Sequence, residues 1–170
     1  MTIKIPLLGF FLAFFSFSSY AAPDNVELSV WANEAIVATY TYNFKTYAQD
    51  QKKIAQYFTT DGWIAYTKAL NASKLPDAIQ KNSYEVSAVA TAPPQLNIVD
   101  ANHWSIIMPV LVQYNNPQYQ QQQNLKIALG ITQASAGQGI RGYAITSLQS
   151  TVIKPPCQCM VQEEEETPTK

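Results

Sequence analysis

Tyr84-Glu85-Val86-Ser87-Ala88-Val89-Ala90 is where the sequence changes period. Tyr84, Val86, Ala88 and Ala90 alternate with Glu85, Ser87 and Val89, a spacing of two that belongs to a strand. Everything before Asn82 has the spacing of helices, and everything from Tyr84 to Ile153 has the spacing of strands. Helices followed by a meander of strands predict an α+β fold, with the helices packed on one face of a curved antiparallel sheet.

Downstream, Pro93-Pro94 ends the first strand and Gln95–Asp100 forms a second run. Trp104–Tyr114 is a long apolar strand, and Pro109 inside it predicts a bulge or an edge position. Asn115-Asn116-Pro117 and Gln118–Gln123 read as a polar loop. Leu125–Thr132 is the next strand, Ala134–Gly139 a small-residue hairpin loop, and Ile140–Ile153 the last strand.

Upstream, Asp24–Phe58 reads as one long helix. Asp24 caps it and Glu27 follows in capping-box spacing. Trp31, Ala35, Ala38 and Tyr42 form its apolar stripe, widened by Val37, Tyr40, Phe44 and Tyr47. Unbroken, it would be roughly 50 Å long at about 1.5 Å per residue, so a bend or end is expected near Tyr47–Gln51. Thr59-Thr60-Asp61-Gly62 is a breaker and cap cluster, with Thr60 or Asp61 as the cap of a helix through Leu70. A third short helix spans Leu75–Lys81, with Pro76 in its first turn.

The termini differ from this body. Lys4 is followed by an apolar run from Ile5 to Phe17 and by Ser19-Tyr20-Ala21, the order of an export signal. Cleavage after Ala21 fits the small-x-small rule, and an uncleaved anchor is the alternative. The expected organisation is a signal peptide over 1–21, one domain over 22–153 and a disordered tail over 154–170. That tail carries Cys157-Gln158-Cys159 and Glu163–Glu166. In an oxidising compartment the two cysteines pair between chains or stay as thiols or a labile local bond, because a bridge across one residue is strained.

Composition removes several function classes. Between residues 22 and 153, eight basic residues (Lys45 to Arg141) balance eight acidic ones (Asp24 to Asp100). That argues against a nucleic-acid partner. His103 is the single histidine, so neither a histidine triad nor a histidine metal site is indicated. Asp61 with Tyr66, or Tyr40 with Tyr42, are the only pairs that could serve a cavity enzyme, and neither has a spacing that chemistry demands. No cofactor is implied.

Trp31-Ala32-Asn33-Glu34-Ala35-Ile36-Val37-Ala38-Thr39-Tyr40-Thr41-Tyr42 and Tyr57-Phe58-Thr59-Thr60-Asp61-Gly62-Trp63 are less generic. Together with Val86–Ala90, Met108–Tyr114 (holding Pro109) and Gln123–Leu125, they resemble the DotI/IcmL family of type IVB secretion systems. The resemblance covers roughly Trp31 to Leu148. It implies an NTF2-like, VirB8-like periplasmic domain that acts as a non-enzymatic scaffold. The implied partners are secretion-system inner-membrane proteins, namely DotI itself and the related DotJ/IcmM, with self-association among them. It also marks Trp31, Asn33, Glu34, Tyr40, Tyr42, Asp61, Gly62, Trp63 and Pro109 as core or interface residues. Where the family carries a cytoplasmic segment and a membrane span, this chain carries the export signal. The expected location is therefore the periplasm, with contact to the inner membrane left open. The alternative is a small-ligand protein or enzyme with a pocket between helices and sheet.

Overall fold

The computed structural model describes residues 25–154. The expected export signal over 1–21, the expected helix cap Asp24 and the tail with Cys157 and Cys159 lie outside the described residues. The elements run α1 (Asn25–Thr39), β1 (Tyr42–Asn43), α2 (Tyr47–Ala55), α3 (Thr60–Ala72), α4 (Leu75–Asn82), β2 (Glu85–Ala90), β3 (Gln95–Ile98), β4 (His103–Asn116), β5 (Tyr119–Gln133) and β6 (Tyr143–Val152). All strands pair antiparallel in the order β1-β2-β4-β5-β6, and β3 pairs with β4 beyond the end of β2. The predicted α+β class, with helices on one face of a curled sheet, is what is found.

Pleating places every second residue of the two long strands against the helices. Trp104, Ile106, Met108, Val110, Val112 and Tyr114 of β4 and Leu125, Ile127, Leu129 and Ile131 of β5 are all buried. Full burial of such a side chain stabilises by about 1.5–3 kcal/mol, so this face anchors the core. From the helix side come Leu28, Trp31, Ala32, Ala35, Ile36 and Thr39 of α1, spaced three and four apart as one helical face requires.

Five expectations need correction. The long helix over Asp24–Phe58 is broken earlier, after Thr39, because Tyr42 and Asn43 leave the helix to pair with Val86 and Glu85. A new helix then starts at Tyr47, where a bend was expected. Neither Thr60 nor Asp61 caps α3: Thr59 does, its hydroxyl accepting from the Gly62 amide at 3.1 Å. Gln120–Gln123 are strand rather than loop, and β4 and β5 meet at a tight turn where Asn116 Oδ1 accepts from the amides of Gln118 and Tyr119 at 2.9 and 2.7 Å. The last strand starts at Tyr143, since Arg141 and Gly142 form a turn with φ of 53° and 81°.

Pro109 is neither at an edge nor bulged. It sits in an unbroken β4–β5 register, opposite Lys126. The irregularity is on the other neighbour. Thr91 donates to the Pro109 carbonyl at 3.0 Å, so the proline nitrogen faces the point where β2 ends. The register shifts by two residues between Ala90↔Val110 and Gln95↔Ile107, and Pro93-Pro94 fill that jog. A missing N–H costs least there.

Candidate functional site

Apart from Pro109, the described residues singled out in the sequence gather at two docking points and one cleft. At the first docking point, α1 meets the β5–β6 hairpin. Trp31 is fully buried, and its Nε1 donates to the Ile140 carbonyl at 2.8 Å. Its ring lies 5.6 Å from Tyr143 and 6.1 Å from Tyr57, and Trp104 meets Tyr143 edge-on at 5.8 Å. Tilted and edge-on pairs at such distances are favourable beyond the area they bury. One helical turn on, Glu34 forms an ion pair with Arg141 at the hairpin tip. Asn33 is half-buried beside it on α1. The helix thus grips the turn with one buried donor and one half-exposed charge pair.

At the second point, α3 begins against β6. Thr59 donates its amide to the Ile145 carbonyl at 3.0 Å, and the Ile145 amide donates to the Tyr57 carbonyl at 2.7 Å. A Cβ on Gly62 would stand 2.5 Å from the Ile145 carbonyl oxygen and 3.0 Å from that of Thr146. Only glycine lets the first turn of α3 approach so closely. The strand it meets is itself irregular. Gly130 pairs with Ser147 but Ile131 with Ile145, which leaves Thr146 as an extra, bulged residue. Phe58, Trp63 and Tyr66 form a three-ring cluster with centroids 5.0–5.5 Å apart. Asp61 is exposed in the first turn, where a carboxylate suits the helix dipole.

The cleft lies between α3, α4 and the sheet, with a volume of about 530 Å³. Tyr40, Tyr42, Tyr66 and Tyr114 line it with Gln123 and Ser150. Burial pushes the Tyr40 phenol up to about 12, although a hydrogen bond to Ser150 works against the rise. Burial raises Tyr42 and Tyr66 further, and neighbouring phenols add to it. These hydroxyls stay protonated across the physiological range, so none is poised as a base.

The candidate pairs fare as follows. Tyr40 and Tyr42 are brought together in the cleft, whereas Asp61 is exposed and does not line the cleft that Tyr66 lines. His103 is exposed and held by Asp100, with Nδ1 2.8 Å from the carboxylate. Among the described residues, no three acidic, histidine or cysteine side chains converge to hold a metal ion. No described helix is long and apolar enough to cross a membrane. Thr59, Ile140, Arg141 and Ser150 were not foreseen as part of these sites. The Arg-Gly pair before the last strand is the one sequence signal that could have exposed the hairpin tip.

Known proteins share this architecture. The chain is 64% identical to an IcmL-like type IV secretion system protein of Legionella pneumophila, over 82% of this chain and 100% of that one, with a TM-score of 0.80. It is 31% identical to the periplasmic domain of DotI, over 78% and 99% of the two chains, with a TM-score of 0.71. CagV of Helicobacter pylori, a VirB8 homologue, shares the fold at 9% identity and a TM-score of 0.62, over 76% and 100%. No curated protein sequence matches the chain significantly. The family model for an inner-membrane complex component of the type IVB secretion system matches residues 13–152, and the chain belongs to this DotI/IcmL family.

Proposed function

We propose that the chain is an exported, periplasmic and non-enzymatic assembly component that acts through protein–protein contacts. Its partners are inner-membrane proteins of the DotI and DotJ kind. One observation carries the reading: the residues that distinguish the sequence serve to fix α1 and α3 onto the sheet. Trp31 is inserted under the hairpin, Gly62 is pressed on the β6 bulge, and Trp63 is stacked in the ring cluster. Such docking yields a rigid body with defined outer faces, which is what an assembly component needs. The pocket alternative is not favoured, because the cleft presents neutral phenols rather than a charged or nucleophilic group.

The location rests on the sequence order of charge, apolar run and small residues before Ala21. The test is a crosslinking pull-down of the tagged full chain from intact cells, combined with the mass of its N-terminus. Recovery of secretion-system inner-membrane proteins with a start at Ala22 is the expected result. A periplasmic protein that captures none of them would overturn the reading.

A further inference from the structure

β6 is the outer strand of the sheet, and beyond Ile145 nothing among the described residues pairs with its free side. Ile145 is covered by Tyr57 and Thr59. The stretch that follows the bulge, Ser147-Leu148-Gln149-Ser150-Thr151-Val152, is mostly exposed and holds no charge and no proline. Edge strands usually carry such guards, because a bare edge is a template for another strand.

The direction of each backbone group can be read from the ladder. The Ile153 amide donates to the Asn124 carbonyl of β5 at 2.9 Å. By strand alternation Ser147, Gln149 and Thr151 also turn their N–H and C=O toward β5, and Leu148, Ser150 and Val152 turn theirs away. Side chains add a second pattern. Leu148, Ser150 and Val152 pair with Leu129, Ile127 and Leu125, so they share the helix-side face.

We infer that this edge pairs with the same edge of a second copy, antiparallel and across a twofold axis through Ser150. In that register Leu148 faces Val152 of the other copy, Ser150 faces Ser150, and Gln149 faces Thr151. All three outward-turned residues of each strand then meet one another. Three pairs exchanging two bonds each give on the order of six hydrogen bonds. Apolar side chains face apolar ones at both ends, polar ones face polar ones between, and no like charges meet. A shift by two residues toward the bulge would set Thr146 against the ladder, and the opposite shift would set Leu148 opposite Lys154; either loses this match. Self-complementarity of this kind is what a twofold interface requires, and it favours a second copy over an unrelated strand. This inference deepens the self-association that the family resemblance implies by giving it a surface, and it does not depend on capture of other secretion-system proteins.

The test uses the full chain with Cys157→Ser and Cys159→Ser, so that the tail adds no bridges. Sedimentation over a range of concentrations is expected to show a dimer. Ser150→Cys is expected to give a covalent dimer on mild oxidation, because hydrogen-bonded antiparallel pairs place Cα atoms about 5.5 Å apart, inside the disulfide range. Gln149→Cys and Thr151→Cys are each expected to stay uncrosslinked alone and to link when mixed. Val152→Pro removes an outward N–H that makes no bond among the described residues. It should weaken association about thirtyfold, two hydrogen bonds lost per dimer. A chain that stays monomeric at every concentration overturns the inference, even if it captures an extended peptide from another protein. So does a dimer that Val152→Pro leaves unchanged.

Discussion

Substituting Gly62 by alanine sets two effects of opposite sign against each other. Alanine is favoured over glycine inside a helix by about 1 kcal/mol. On that ground alone Gly62→Ala should stabilise the domain. The structure predicts the reverse. The new methyl would stand 2.5 Å from the Ile145 carbonyl oxygen, 3.0 Å from the Thr146 oxygen and 3.0 Å from Thr59 Oγ1. Two of these are backbone atoms of a paired strand, and Ile145 is held through both its amide and its carbonyl. Relief has to come from α3 moving outward. That motion strains the Thr59 cap, worth about 1 kcal/mol, and loosens the Phe58, Trp63 and Tyr66 cluster. Overpacking of this kind costs roughly 1–3 kcal/mol. With the strained cap added and the propensity gain subtracted, a net loss of about 1–3 kcal/mol is expected. Urea unfolding followed by tryptophan fluorescence should show a lower midpoint at an unchanged slope. Thr59→Ala is the control: it removes the cap without the clash, and about 1 kcal/mol should go with it. A Gly62→Ala midpoint equal to or above that of the wild type would refute the close-approach argument.

Three further outcomes follow from the geometry. Trp31→Phe removes the indole donor to Ile140 and leaves a void beneath the hairpin, for a loss of about 2–3 kcal/mol; a loss under half of that in urea unfolding would show that the ring stack alone holds α1. Tyr40, Tyr42 and Tyr66 have folded pKa values raised above the ordinary 10.0, so the folded state holds their protons longer than the unfolded chain does. Their stabilisation is complete below pH 10 and falls from there toward the folded pKa, about 12 for Tyr40, at roughly 1.4 kcal/mol per pH unit for each phenol. Unfolding midpoints that stay level one pH unit above 10.0 would contradict this burial. Pro109→Ala should change stability by less than about 1 kcal/mol, because the regained N–H faces the end of β2 and can meet Thr91, while the unfolded chain gains freedom; a larger loss in thermal unfolding would mean that the ring itself packs a contact on the outer sheet face.

The fold class was legible because two periods do not mix. A single switch at Asn82–Tyr84 separates residues spaced three and four apart from residues spaced two apart. What escaped depends on partners far along the chain. Tyr42 fits the helical stripe as well as it fits a strand, and only Val86 decides between them. Gln120–Gln123 are exposed or half-exposed, so no apolar alternation marks them as strand. Pro109 read alone predicts a bulge or an edge in its own strand, whereas the irregularity belongs to Ala92-Pro93-Pro94 on the neighbouring strand. The site residues show the same division. Trp31 and Gly62 stand out in sequence, yet their purposes lie in Ile140 and Ile145, 109 residues and 83 residues away respectively.

The clasp between Trp31 and Ile140 also orders events in time. A chain that emerges amino end first, from a ribosome or a translocation pore, exposes α1 long before the turn that receives its indole. Until Ile140 and Arg141 have followed, the amino-terminal helix has neither its buried acceptor nor its ionic partner. Until then Leu28, Trp31 and Ile36, buried in the complete fold, lack part of the cover that seals them. Contacts of such long reach delay closure until nearly the whole domain is present. The molecule stays threadable for as long as any part of it remains to be threaded, and locks when the last hairpin arrives.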